Sequence, residues 1–153
     1  MNCLSVEYNL KTKSLDVYLA GCNGNPKCTG CHNPESWSFD NGFHITKAMT
    51  SIEKYIQEFD VLIKNIMIFG GEPLDQDRDK LQDFLFFLNN YNKKIWLFTR
   101  YELSEIPIAI FNLCDYIKTG RYLPELKCDD NVQFGVKLAT SNQSIYKTGS
   151  KYE

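Results

Sequence analysis

Two short runs, Asn65-Ile-Met-Ile-Phe69 and Lys94-Ile-Trp-Leu-Phe98, are apolar at most positions, Asp115-Tyr-Ile-Lys118 reads as a further strand, and amphipathic segments lie between them. A strand apolar at successive residues is one covered on both faces, and its alternation with amphipathic helices calls for a parallel sheet. Between Lys47 and Ile63 the residues Ala48, Met49, Ile52, Tyr55, Ile56, Phe59 and Ile63 recur at helical spacing, with Thr46 placed to cap the first turn. A second helix is expected over Asp77–Asn89 with Leu81, Phe84, Leu85 and Leu88 inward, and a short third over Leu103–Asn112, interrupted early by Pro107. Strands near Cys3–Tyr8 and Leu15–Ala20 suggest an N-terminal hairpin; beyond Gly120 the pattern weakens to two further strands, Asn131–Val136 and Ser144–Lys147. Four or five β/α units are too few for a closed eightfold barrel. The expected fold is α/β, a partial, open β/α barrel of about four to six mainly parallel strands, forming one domain over residues 1–153 with no Pro/Gly/Ser-rich linker.

In such sheets ligands bind at the carboxyl ends of the strands. The notable residues of this chain fall there: a cysteine loop after Ala20, Gly70-Gly71-Glu72-Pro73 after Phe69, Thr99 after Phe98, and Thr119-Gly120 after Lys118.

The loop Gly21-Cys-Asn-Gly-Asn-Pro-Lys-Cys-Thr-Gly-Cys-His-Asn33 carries Cys22, Cys28 and Cys31. Three thiolates can hold three irons of a 4Fe-4S cluster and leave the fourth open for chemistry. A structural zinc site would take four Cys/His ligands in two pairs, and no second such pair follows, although His32, His44, Cys114 or Cys128 can complete a set. A zinc-binding interaction module is therefore the alternative from a different class. A thioredoxin-like pair at Cys28 and Cys31 would want its first cysteine directly after a strand, whereas seven residues including Pro26 stand between Ala20 and Cys28. Free cysteines usually occupy apolar positions, yet these three sit among Asn, Gly, Pro, Lys and Thr. Cys114 has the surroundings of a buried thiol, and Cys3 and Cys128 have no informative spacing.

Gly70 and Gly71 allow close approach of backbone to a ligand, and the Glu72 carboxylate can accept charge-assisted hydrogen bonds from an amine. Thr99 can bond a ligand or cap the next segment, and Lys118 can neutralise a carboxylate or lie in solvent. Arg100, Arg121 and the segment Thr140–Lys147 are candidates for docking a partner or for a solvated surface. The 17 basic and 19 acidic residues give a net charge of -2 without long like-charged blocks, which argues against nucleic-acid binding. No stretch approaches the ~20 apolar residues of a membrane span, and the N-terminus lacks a secretory pattern, so a cytoplasmic protein with reduced cysteines is expected.

Several stretches together resemble the radical S-adenosylmethionine superfamily, and within it the anaerobic ribonucleoside-triphosphate reductase activating proteins. They are Gly21-Cys22, Cys28-Thr-Gly-Cys-His-Asn33 with Trp37 behind, Gly70-Gly-Glu-Pro-Leu74, Ile95-Trp-Leu-Phe-Thr-Arg-Tyr-Glu-Leu103, Gly120-Arg-Tyr122 and Thr140-Ser-Asn-Gln143. The resemblance runs over nearly the whole chain. It implies a 4Fe-4S cluster held by Cys22, Cys28 and Cys31, with S-adenosyl-L-methionine on the fourth iron. It further implies cofactor contacts at Gly30, Cys31 and His32 and, around the amino end, at Gly70, Gly71 and Glu72. The implied chemistry is reductive cleavage of the sulfonium to a 5'-deoxyadenosyl radical, which takes hydrogen from a glycine of an anaerobic ribonucleoside-triphosphate reductase. A flavodoxin-type low-potential donor is implied as well. Other glycyl-radical enzymes, or another small radical reaction such as deazaguanine synthesis, are the alternatives within the class.

The chain departs from the pattern in three places. Its cluster spacing is C-x5-C-x2-C where the family usually has C-x3-C-x2-C; by loop-closure scaling the extension costs only roughly 0.3 kcal/mol. Thr99-Arg100-Tyr101 stands where the family often has Thr-Gly-Tyr, and a Pro-Gly-containing turn before Ser14 is missing.

Overall fold

Leu15, Val17 and Leu19 of strand β2 (Ser14–Leu19) point to one side, and Asp16 and Tyr18 to the other, as the two-residue period of a strand requires. The computed structural model describes residues 1–148; residues 149–153, in the Lys-, Ser- and Tyr-rich tail, lie outside the described residues. Before β2 comes β1 (Asn2–Asn9), its antiparallel hairpin partner, and after it β3 (Phe43–His44), which pairs with the start of β1.

The apolar runs become β4 (Asn65–Gly70), β5 (Lys94–Phe98) and β6 (Tyr116–Thr119). Strand β9 (Ser144–Lys147) closes the far edge against β6. Among the described residues this makes a seven-stranded sheet of order β3-β1-β2-β4-β5-β6-β9. Only the central pairings β2–β4, β4–β5 and β5–β6 are parallel; those involving β1, β3 and β9 are antiparallel. The sheet thus has more strands than the four to six expected, and its parallel part is confined to the middle.

Helices α1 (Ile45–Phe59), α2 (Arg78–Leu88) and α3 (Ile108–Leu113) cover one face. Ile52, Leu81, Phe84, Leu85 and Leu88 pack there against Val17, Ile66, Ile68, Ile95 and Leu97 in one cluster. Each such side chain contributes about 1.5–3 kcal/mol by leaving water. The opposite face carries Met67 and Trp96 under Leu138 and Ile145, beside a row in which Tyr18, Phe69 and Phe98 stand 5.4 and 4.3 Å apart, centroid to centroid.

Local chemistry moved several boundaries. The cap of α1 is His44, whose Nδ1 accepts the Thr46 N–H at 3.3 Å, because β3 runs directly into the helix; Thr46 lies inside the first turn. The helix ends at Phe59, and a 3-10 turn over Asp60–Leu62 carries the chain to the buried Ile63. Asp77 caps α2, its carboxylate accepting from Lys80 N at 3.0 Å. Pro107, lacking an N–H, stands at the N-cap of α3 and not within a helix; what precedes it is a 3-10 turn, Leu103–Glu105. The run expected as one strand over Asn131–Val136 is a hairpin of β7 (Val132–Gln133) and β8 (Val136–Lys137), turned at Phe134 and Gly135, both at positive φ. None of the described helices is long and apolar enough to cross a membrane.

Candidate functional site

Four parallel strands that end side by side deliver four loops to one end of the sheet. Gly70 and Gly71 bring the first two together. Gly71 N–H donates to Leu19 O at 2.9 Å and Glu72 N–H to Gly21 O at 2.8 Å, so the turn after β4 is stapled to the root of the cysteine loop. A Cβ at Gly70 would meet the Leu19 backbone at 2.1 Å, and one at Gly71 would meet Gly21 O at 2.2 Å. The crowding that demands glycine therefore comes from the chain's own backbone. On the far side Gly21 N–H and Cys22 N–H donate to Ser36 O and Trp37 O, at 2.7 and 3.1 Å.

A cavity of about 190 Å3 opens at this end. Cys22, Cys28, Cys31, Gly71, Glu72, Thr99 and Lys118 line it, together with Trp37, Arg100 and Gln143. Gly30 and His32 do not: Gly30 is exposed at φ +69 with open space around it, and His32 faces a separate open cavity beside Cys128 and Lys137. Gly70 is likewise spent on packing against β2 and is not part of the lining.

The three thiols are free and half-buried. Two already receive N–H donors: Gly24 N to Cys22 Sγ and Trp37 Nε1 to Cys31 Sγ, each at 3.4 Å. Such bonds to sulfur stabilise thiolates and tune the potentials of iron–sulfur centres. Among the described residues no group of three His, Cys, Asp or Glu side chains is arranged to hold a single metal ion. The donor set and its polar surroundings fit a cluster. Cys3 and Cys114 are buried in the core, and burial pushes the Cys3 thiol up to about 11.

Glu72 is 2 % exposed and knits two strand ends together. Its Oε1 accepts from Thr99 Oγ1 at 2.6 Å and from Leu74 N at 3.0 Å, and its Oε2 from Arg100 N at 2.9 Å. Burial raises its carboxyl above the usual range, and these donors together with the Arg100 charge pull it partly back. Thr99 both donates to Glu72 and accepts from Tyr101 N, so it joins β4 to β5. Lys118 extends into the cavity, donating to Gly120 O at 2.7 Å and Thr99 O at 3.5 Å. Burial pushes its amine down to about 8, against the opposing pull of Glu72 and Cys28.

The three cysteines, the open space beside them and two sulfur-directed donors are joined by a match to 4Fe-4S single cluster domains over residues 12–146, which takes in the whole site. The chain belongs to the 4Fe-4S single cluster domain family. Similar proteins include the anaerobic ribonucleoside-triphosphate reductase-activating proteins of Escherichia coli (27% identical over 139 residues, 85% of each chain) and Vibrio cholerae (26% over 142 residues, 86% of this chain and 85% of the relative). That of Salmonella typhi is 27% identical over 122 residues, covering 72% of this chain and 75% of the other.

Two residues of this 4Fe-4S domain have roles that the sequence did not show. Gln76 is buried, and its Nε2 donates to Ala20 O, Gly21 O and Glu72 O, bracing the root of the cysteine loop. Gln143 belongs to a segment read as a docking surface or solvated end, yet it is 5 % exposed, lines the cavity and donates to Gly120 O. A polar residue after a glycine turn, or near a chain end, carries no local sign of burial.

Proposed function

We propose that this chain is a radical S-adenosylmethionine activase that installs a glycyl radical on an anaerobic ribonucleoside-triphosphate reductase. The observation that carries the reading is the single cavity in which three cysteines face a buried carboxylate and a buried amine. In it Cys22, Cys28 and Cys31 hold three irons and leave the fourth without a protein ligand. Lys118 offers a cation to the carboxylate of S-adenosylmethionine. Glu72 Oε2 accepts one hydrogen bond within the protein and retains capacity for an ammonium. When bound, the cluster and S-adenosylmethionine supply the one-electron chemistry that removes a hydrogen atom from glycine, while the chain positions them and limits water.

The open sheet with helices on one face is, on this reading, the partial β/α barrel of that superfamily. The relatives' shared name supports the reductase as target. A flavodoxin-type donor would supply the electron, and the free thiols of Cys22, Cys28 and Cys31 agree with a reducing cytoplasm.

Anaerobic reconstitution with iron and sulfide should give about four irons per chain, lost in Cys28→Ala. Adding S-adenosylmethionine, reductant and the reductase should then give 5'-deoxyadenosine and a glycyl-radical signal in electron paramagnetic resonance. A chain that takes up only zinc, or a cluster-loaded chain that leaves S-adenosylmethionine intact, refutes the proposal.

A further inference from the structure

The loop between Cys22 and Cys28 is long for its job, and five intervening residues with little regular structure need something to fix them. Asp75, just beyond the glycine-glutamate turn, reaches across to it. Its side chain is 3 % exposed, and its carboxylate gathers three donors from two parts of the chain. Oδ2 accepts the Asn23 N–H at 2.6 Å and Arg100 Nη2 at 2.9 Å; Oδ1 accepts the Tyr101 hydroxyl at 2.5 Å. The Arg100 guanidinium lies 4.3 Å above the Tyr101 ring, so the two donors support each other. Its Nε is also in contact range of the loop, 3.6 Å from where a Cβ on Gly24 would stand.

We propose that Asp75 is a positioning residue that clasps the cysteine loop through Asn23, with Arg100 and Tyr101 as its counterparts, and so sets where Cys22 stands relative to Cys28 and Cys31. Asn23 directly follows Cys22, so its amide ties down the far side of that cysteine, whose own N–H is already bonded to Trp37 O. A carboxylate suits the task because it accepts all three donors at once, and an ionised acceptor forms stronger bonds than a neutral one. The unusual residues of the chain are thereby linked in space: the long spacer is held by Asp75, whose carboxylate is in turn braced by Arg100, the side chain that stands between Thr99 and Tyr101. Arg121 adds a second tie further along, its Nη2 donating to Pro26 O at 2.7 Å, and Lys27 folds back to Cys22 O. The clasp itself stands independently of the chemistry; its consequence for cluster assembly rests on the function proposed above.

The test uses the full chain, metal-free and reduced, with hydrogen exchange at the Asn23 amide and per-cysteine alkylation by iodoacetamide read by mass spectrometry. Asp75→Asn keeps the shape but turns one acceptor into a donor facing Asn23 and Arg100, or facing Tyr101. Asn23 should lose protection by about tenfold or more, the factor expected from one lost charge-assisted hydrogen bond. Cys22 should be alkylated faster relative to Cys28 and Cys31, and Asp75→Glu should restore part of the difference. Tyr101→Phe, which removes one hydroxyl from the edge of the site, should show the same pattern at roughly two- to threefold and serves if Asp75→Asn does not fold. Unchanged Asn23 exchange, or an equal rise at all three cysteines, overturns the proposal. In iron-loaded protein, Asp75→Asn should release iron to a chelator faster. If wild type assembles no cluster, the functional reading fails while the exchange and alkylation results still decide the clasp.

Discussion

Gly71→Ala and Gly30→Ala place the same methyl group at one glycine that lines the cavity and one in the cysteine loop that does not, and the structure assigns them different costs. At Gly71 the new carbon would lie 2.2 Å from Gly21 O and 2.5 Å from Ser36 O, where ordinary contact is roughly 3.5 Å. Both obstacles are backbone atoms that are themselves hydrogen-bonded: Gly21 O to Glu72 N–H and Ser36 O to Gly21 N–H. Nothing can swing aside, so the turn and the loop root must separate by about 1 Å. Overpacking of this kind costs about 1–3 kcal/mol, and weakening two backbone hydrogen bonds adds roughly 1 kcal/mol each. A total of about 3–5 kcal/mol corresponds to a fall of roughly 6–20 °C in Tm for a domain of this size. Gly30 is at φ +69 with nothing within 4 Å, so its alanine meets only the left-handed backbone penalty of about 1–2 kcal/mol. Thermal and urea unfolding of the reduced, metal-free chains measure both. The larger loss at Gly71 should be accompanied by poorer iron uptake, because the displaced backbone carries Cys22. A Gly71→Ala chain as stable as Gly30→Ala would refute the claim that this glycine is required by contact with the cysteine loop.

Lys118 predicts a pH effect of definite sign. Its folded pKa of about 8 lies below the unfolded 10.5, so the unfolded chain binds more protons between these values and the lysine's burial cost disappears as pH rises from 8 to 10.5. Relative to Lys118→Met, wild type should gain up to about 3 kcal/mol across that window, measured by denaturant unfolding at each pH; a constant difference would contradict a buried amine. Trp37→Phe removes the indole N–H from Cys31 Sγ. In reconstituted protein it should lower the cluster's midpoint potential by something on the order of tens of mV, read by redox titration, whereas an unchanged potential would mean that the hydrogen bond does not reach a cluster ligand.

The strands and helices were legible because their signals are local. Val17, Ile66, Ile68 and Leu97 lie in short apolar runs that mark buried strands, and Ile52 and Leu85 recur at helix spacing, so the pattern assigns them to the interior, while the packing decides which face of the sheet each strand residue takes. The gathering of Cys22, Cys28, Cys31, Glu72, Thr99 and Lys118 followed from a topological rule, that parallel strands deliver their carboxyl ends to one side. The rule does not say which residues turn inward, so it could not separate Gly71 from Gly70, nor Cys31 from its neighbours Gly30 and His32. The hairpin at Phe134 and Gly135 was missed because only one of its two positive-φ residues is a glycine.

By itself, the sequence determined an α/β sheet with its chemistry at the strand ends and a cysteine triad whose polar setting favours ligands over core thiols. The tertiary structure alone decided what holds that triad. Asn23 meets Asp75 across 52 positions of chain and Pro26 meets Arg121 across 95, and no local pattern encodes such pairs. It also decided that Gly70 and Gly71 are there for backbone contact, and that Glu72 braces two strand ends. The reason is physical: periodicity records which side of an element avoids water, whereas a buried hydrogen bond depends on a partner whose place is known only after the chain has folded.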